Sequence, residues 1–591
     1  MGALFGFSGP PDPLLLERMD NVLTHRGNYP TQKDTRHQGT ICYRPGFEPE
    51  LENRLGAGIY SENQNRQTIA LAGQLFSETP AKAVLPWLLQ QYRSQGPDFL
   101  TGLRGAFVLV IRDGDMLVLA RDGAGVRTVY YAFFNGRFRF AIEPKGIMAD
   151  PEFPRRIRPA SVAQYLTFSF VPGNHTMLED LYELPAGHVV VFSPGQKTHP
   201  PAPRRYFFFE NVPEKAKQDH NDADDMNWVE RFSKTFAAAV EERLPRDEPV
   251  GVFLSGGIDS SIVASEVALR HRGPVKTYAL HFGTKYPNEL AFARAVAERC
   301  GTDHEEVFIQ PKTFVPHLRQ IIWYLDDPIG DPVTMPNFEL SRYAAKEVRW
   351  VFNGEGGDPC FGGPKNVPMM LHHWYGGIKR GKHFRERMYL ASYRRAYDDL
   401  SRLLTPDWQK KIDFNSHLIG VLKPFLQCQT PTSFLDKLIA INIRLKGAHL
   451  ILPKVERMTG AWGLTPLAPL FDERMVKLSF EMPGRMKLSG GVEKIVLKRA
   501  FADRLPPEII ARPKSGMRVP VHFWFKGELK RYAGKILGKK SIKNTGIFDP
   551  ERVRHLLDYN TLEGRGRYGL RLWMLITFEI WRRIVIEKEP M

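Results

Sequence analysis

The sequence predicts two unlike halves. An α+β half over residues 1–210 is built mainly of short strands, and an α/β half over 228–591 is built on a parallel sheet with extra helices. Three observations carry this. Brief β-branched or aromatic runs punctuated by Gly, Asp and Asn fill the first 210 residues. Helical and strand patterns alternate after residue 228, as crossover helices between parallel strands require. Between the halves, the polar stretch Glu214 to Asp225 reads as a linker, spanning 211–227.

The elements follow in order. In the first half, Thr68–Ala72, Ala106–Ile111, Met116–Ala120 and His188–Phe192 are strand candidates, and Ala81–Gln95 has a helical pattern. In the second, Trp228–Arg243 reads as a helix and Pro249–Leu254 as a buried strand with charge before it and glycine after. A helix over 260–271, a strand Val275–Phe282, a helix over 288–300 and a buried strand Val348–Phe352 come next. Residues 365–450 and the last 80 are richer in helical pattern and are expected to pack around the sheet. Ligands of such sheets bind beyond the carboxyl ends of the strands.

Composition narrows the class. At 591 residues the chain exceeds one core, and 43% apolar with 12% aromatic residues exclude a largely disordered protein. Lys and Arg number 82 against 65 Asp and Glu, a net +17. The excess is scattered, with clusters at Lys379–Arg387 and Lys539–Lys543, and reads as a solvated basic face rather than a nucleic-acid footprint. Cys42, Cys300, Cys360 and Cys428 lie far apart, which argues for a reducing compartment and against a disulfide framework. No signal-peptide pattern is apparent. The longest apolar run, Leu570–Ile586, carries Arg571, Glu579, Arg582 and Arg583, so a cytoplasmic enzyme without a membrane span is expected.

Two loops carry the chemistry. Ser255-Gly256-Gly257-Ile258-Asp259-Ser260-Ser261 has the layout of a strand end, a glycine turn and a helix start. Successive N–H groups there, with the hydroxyls of Ser255 and Ser260, make a concave anion site. The lysine of the common P-loop is missing. The string instead resembles the pyrophosphate-binding loop (PP-loop) of ATP pyrophosphatases, which cleave ATP between the α and β phosphates and leave an adenylylated substrate. The second loop, Asn353 to Gly363, offers Glu355 and Asp358 above the same sheet edge. Asp259 and Asp358 could together hold the Mg²⁺ that neutralises departing pyrophosphate.

With these strings the chain resembles the asparagine synthetase B type, a class II glutamine amidotransferase fused to an ATP-pyrophosphatase synthetase. Further landmarks are Asp327-Pro328, Leu452 to Arg457, Leu467 to Asp472, Glu493 to Lys498 and Arg512 to Gly516. In the first half they are His25-Arg26-Gly27, Leu103 to Phe107, Ala141 to Lys145 and Leu184 to His188. The resemblance implies an N-terminal-nucleophile (Ntn) type sandwich over 1–210 and an ATP-dependent synthetase over 228–591. It implies that Glu355 accepts a proton from the attacking amine and that Lys494 contacts pyrophosphate and the acyl-adenylate. It further implies Ser255, Gly256, Gly257 and Ser260 around the pyrophosphate, and backbone near Phe253, Leu280 and Gly354 against the nucleotide. Pro359, Asp327 and Glu456 depart from the family's usual residues, the last two putting the acceptor substrate in doubt.

The amidotransferase half reads as disarmed. The family's nucleophile is a Cys at the position of Gly2, and Ala72-Gly73-Gln74 stands where Asn-Gly-Glu is usual. An acidic glutamine-binding residue is also missing near Ala83–Leu85. This is similar to the offshoots that abandoned glutamine: β-lactam synthetase, carbapenam synthetase and lasso-peptide cyclases. The expected substrate is then a small-molecule or peptide carboxylate, with a precursor peptide and its processing protease as partners in the peptide case, and a second copy of the chain as another. An asparagine synthetase using free ammonia and a tRNA-modifying PP-loop enzyme stay open as alternatives.

Overall fold

The computed structural model describes residues 2–62, 66–76, 83–195, 200–210, 222–363, 366–375, 381, 383–393, 399–513, 516–558 and 568–591. Its first part is a sandwich of two antiparallel six-stranded sheets. One sheet centres on Ala3–Ser8, paired with Gly39–Arg44 and Arg137–Ala141. The other centres on Gly105–Asp113, paired with Gln67–Leu75 and Met116–Arg121. Gly105–Asp113 is buried along nearly its whole length, because both of its faces are covered. Arg112 on this strand pins the sheets together. Its guanidinium donates to the Gly39 carbonyl at 2.9 Å and to Thr68 Oγ1 at 2.7 Å, and pairs with Asp34 of the facing sheet. Helix Val84–Gln95 covers the edge through Val84, Leu88 and Tyr92, one residue per turn. It starts later than its sequence pattern suggests, residues 81–82 lying outside those described.

The second part is a five-stranded parallel sheet in the order Asp303–Phe308, Val275–His281, Val250–Phe253, Trp350–Phe352, Thr465–Leu467. The chain adds two strands on one side of Val250–Phe253 and then crosses to the other. The strand order therefore reverses between Val250–Phe253 and Trp350–Phe352, the switch point where open parallel sheets leave a crevice. Helix Ile258–Arg270 follows the central strand and is buried from Ile258 through Val267.

Two differences from the sequence reading concern helices. Helix Asp222–Glu241 begins six residues before Trp228, inside the stretch read as linker; 211–221 lie outside the described residues. Charge at its start favours a helix N-terminus, so polarity there marks a first turn rather than a loop. The segment between helices Phe434–Ile441 and Leu452–Gly460 is a ten-residue π-helix, Asn442–Ile451. Pro453 supplies the cause: its ring cannot donate and crowds the carbonyl of residue 449, which opens the turn before it.

Candidate active site

Both glycine loops meet at the switch point. Gly256 has φ +72°, and a Cβ there would lie 2.7 Å from the Ala293 backbone nitrogen, so the turn admits only glycine. The hydroxyls close a small ring: Ser255 N–H donates to Ser260 Oγ at 3.1 Å, and Ser260 and Ser261 donate to the Gly257 carbonyl at 3.1 and 2.9 Å. The second loop lies directly on the first, for a Cβ on Gly357 would overlap the Asp259 carboxylate. Asn353 Oδ1 accepts from Glu355 N at 3.1 Å and fixes the start of that loop. Pro359 sits in the first turn of the short helix Gly357–Phe361, where a missing N–H costs no helical bond.

Lys494 unites the acidic residues of the two loops. It is fully buried, sits at φ +59° just before helix Ile495–Ala500, and its ammonium lies 2.6 Å from Asp259 Oδ2 while also pairing with Asp358. A non-glycine residue in the left-handed region is strained, and such strain gathers at functional positions. One ammonium reaching both carboxylates means that they converge closely enough to share one divalent cation. Among the described residues no cluster of three or more His, Cys, Asp or Glu side chains forms a closed metal cage. Two carboxylates that leave the remaining positions to phosphate oxygens and water suit Mg²⁺.

A cavity of about 540 Å³ opens over these loops. Phe253, Ser255, Asp259, Ser260, Leu280 and Gly354 line it, as do Glu355 and Asp358. Gly256 and Gly257 shape the turn without lining the cavity, and Lys494 lies behind the two aspartates. Three features had no role assigned from the sequence. Arg512 donates to the Gly256 carbonyl at 3.1 Å and pairs with Glu289. Lys454 pairs with Asp331 at 2.9 Å, and Lys446 lines the same wall. The sequence signal for Arg512 and Lys454 is their place in the strings Arg512 to Gly516 and Leu452 to Arg457.

Asp327 and Glu456 are corrected here. Their departures from the usual residues do not reach the acceptor substrate through the cavity, because neither lines it. Asp327 accepts the Met177 N–H at 2.9 Å, and its burial pushes the carboxyl up to about 8. Glu456 takes the Arg26 guanidinium on both oxygens at 2.6 and 3.0 Å. Burial opposes ionisation of Glu456, but Arg26 and Arg457 hold it down to about 2. Around this pair Glu143 gathers Arg26, Lys145 and Arg457, and Lys145 reaches Asp326 at 2.9 Å. These buried charges cross between the halves. A cavity of only about 30 Å³ adjoins them, lined by Gln74 and Arg127 on one side and Glu456 and Leu467 on the other.

In the sandwich, Gly2 precedes the central strand Ala3–Ser8 and is buried. A Cβ there would lie 2.5 Å from the Tyr43 hydroxyl and 2.6 Å from the Arg44 carbonyl oxygen. Tyr43 is held in that place by donating to Glu52 at 2.6 Å. Ala72 is buried in strand Gln67–Leu75 and Gln74 faces the small interdomain cavity. The acidic position sought near Ala83–Leu85 lies at the start of helix Val84–Gln95, with residues 77–82 outside those described.

Comparison with known proteins agrees with this architecture. Residues 231–583 match the asparagine synthase family, and residues 56–207 match the glutamine amidotransferase domain family. The chain is 25% identical to "Asparagine synthetase [glutamine-hydrolyzing] 1" of Bacillus subtilis, over 98% of this chain and 94% of that one. It is 27% identical to "Putative asparagine synthetase [glutamine-hydrolyzing]" of Mycobacterium bovis, over 85% and 79%. It is also 25% identical to "Amidase chry2" of Gibberella zeae, over 80% and 78%. No helix among the described residues is long and apolar enough to cross a membrane. An Ntn-type sandwich joined to a parallel sheet whose switch point carries a PP-loop, matched by the family over most of the second half, places the chain in the asparagine synthase family as an ATP-dependent amide-forming ligase.

Proposed function

We propose that the protein activates a carboxylate as its acyl-adenylate and couples it to an amine that does not come from glutamine. The observation that carries this is Gly2: the nucleophile's position has no room for even a Cβ, because the Tyr43 hydroxyl and the Arg44 carbonyl fill it. Two further observations support it. Ala72 cannot donate a hydrogen bond to an oxyanion, and Gln74 has no charge to hold a substrate ammonium. The amine then enters by the synthetase cavity, as an amine of the substrate itself or of a peptide. Cyclisations of the β-lactam or lasso-peptide kind belong to this class, the latter implying a precursor peptide and its protease as partners.

In this reading ATP lies over the strand ends by Phe253, Leu280 and Gly354, with its phosphates on Ser255, Gly256, Gly257 and Ser260. The substrate carboxylate attacks the α-phosphate and pyrophosphate leaves. Lys494, paired with both aspartates beneath the cavity, sets positive charge toward the negative charge that accumulates there, a stabilisation worth several kcal/mol, about a hundredfold or more in rate. Asp259 and Asp358 would hold Mg²⁺, which when bound neutralises the leaving pyrophosphate. Glu355, on the cavity wall, takes the proton from the amine as it attacks the acyl carbon and AMP departs.

The direct test is product identity with ATP–pyrophosphate exchange over a panel of carboxylates. Exchange and AMP are expected, and ADP as product would reject the mechanism. Glu355→Gln should keep exchange while slowing amide formation. A second reading, asparagine formation from free ammonia, is favoured by the names of the full-length relatives. Aspartate with ammonium chloride as the pair that turns over would decide for it.

A further inference from the structure

The wall of the cavity that faces Glu355 suggests what the carboxylate looks like. The π-helix Asn442–Ile451 packs against the helix Gly357–Phe361, which carries Asp358, so this wall stands beside the loop that bears Glu355. Between its two lysines the run from Lys446 to Val455 is apolar where it meets the cavity, through the buried Leu450, Ile451 and Val455, and Asn337, Leu340 and Asp331 border it. π-Helical turns recur at functional sites because they push side chains out of helical register. Here the widened turn sets Lys446 and Leu450 on the cavity.

Three other cations of this region are matched. Lys454 is tied to Asp331 at 2.9 Å, Lys494 to Asp259 and Asp358, and Arg512 to Glu289. Lys446, half-buried, and Arg518, exposed, line the cavity without an ion pair to any of the described residues, and of the two only Lys446 stands on this wall. A cation bordering an apolar surface gains most from an anion that brings its own apolar body. Lys446 and Lys454 are eight residues apart along a continuous helical run, roughly 12 Å at a rise near 1.5 Å per residue. The unpaired cation therefore stands about two turns from the paired one.

We infer that the acyl substrate is a carboxylic acid with an apolar body and a second anionic group, which Lys446 binds. The inference rests on the ligase reading for the direction of the reacting carboxylate, and it names Lys446 as a specificity-determining residue. A short polar acid would leave the apolar wall wet and Lys446 without a counter-charge.

The test reads binding without turnover. Calorimetric titrations of hexanoate and adipate, and of octanoate and suberate, go into the full chain saturated with Mg²⁺ and α,β-methylene-ATP. Each diacid is expected to bind at least about tenfold tighter than its monoacid. Lys446→Met should erase that preference. Lys446→Glu should turn it toward 6-aminohexanoate, whose far end is cationic. Equal affinities within each pair, no binding by any of the four acids, or a loss of nucleotide affinity in Lys446→Met would each overturn the inference. Retained discrimination in a protein that gives no pyrophosphate exchange with any of them would support this inference and count against the ligase reading alone.

Discussion

Lys494 stands where a divalent cation would be welcome, between two carboxylates and shut off from solvent. An ammonium and a dication compete for the same oxygens. Wild-type protein without nucleotide should therefore bind Mn²⁺ weakly, and Lys494→Met should tighten that binding by tenfold or more, as read by electron paramagnetic resonance. Equal affinities would show that the lysine does not guard the site. The same variant should lose about a hundredfold or more of its adenylation rate. The lysine was legible as a motif member, but its burial was not. Its partner Asp259 is 235 residues away, and a six-residue string does not say which way a side chain turns. Gly2 was legible as a missing nucleophile. The occupant of its space was not, because Tyr43 reaches it only through the pairing of Ala3–Ser8 with Gly39–Arg44. Gly2→Cys should accordingly release no glutamate from glutamine and should lower stability by about 1–3 kcal/mol, the usual result of overpacking. Glutamate release by that variant would show that the pocket can reopen.

Among the elements, helix Glu473–Glu481 bears the most consequential misfit between residue and place. Its first residue, Glu473, is fully buried against the sandwich and accepts the Gly105 N–H at 3.3 Å. Burial, with Asp472 and Asp122 nearby, pushes its carboxyl up to about 8. The folded chain thus keeps a proton that the unfolded chain begins to lose near pH 4.5. Stability contributed by this group falls as pH rises from about 4.5 to about 8, where the folded form ionises too. Glu473→Gln should match wild type in urea midpoint at pH 4.5 and exceed it at pH 8; a parallel pH dependence of the two proteins would refute this. Strand positions were readable from alternation and glycine turns, and His188–Phe192 has the bounds its sequence suggests. The π-helix was not readable, since its period differs little from that of an ordinary helix and its cause, Pro453, lies beyond its end.

For the whole molecule, the junction between halves is where charge is most deeply buried. Arg26 meets Glu456 across 430 residues of sequence, and Glu143 collects cations from both halves. Removing one partner strands the other, at a typical cost of about 3–5 kcal/mol. Arg26→Met should lower the melting temperature by several degrees and split one calorimetric transition into two; a single unshifted transition would mean that the halves are held by apolar contact alone. All these residues were visible in recognisable strings, yet their meeting was not, because sequence order carries no information on how two folded halves dock. Glu456 has one further consequence. It lies one residue from Val455, which lines the large cavity, so a single helix, Leu452–Gly460, has one side on the sandwich and the other on the substrate wall. Deleting the sandwich would leave Glu456 and Arg457 facing nothing and free the wall to drift. Even if the first half had no chemistry left to do, the chain could not shed it, because that half is the mould that holds the other in shape.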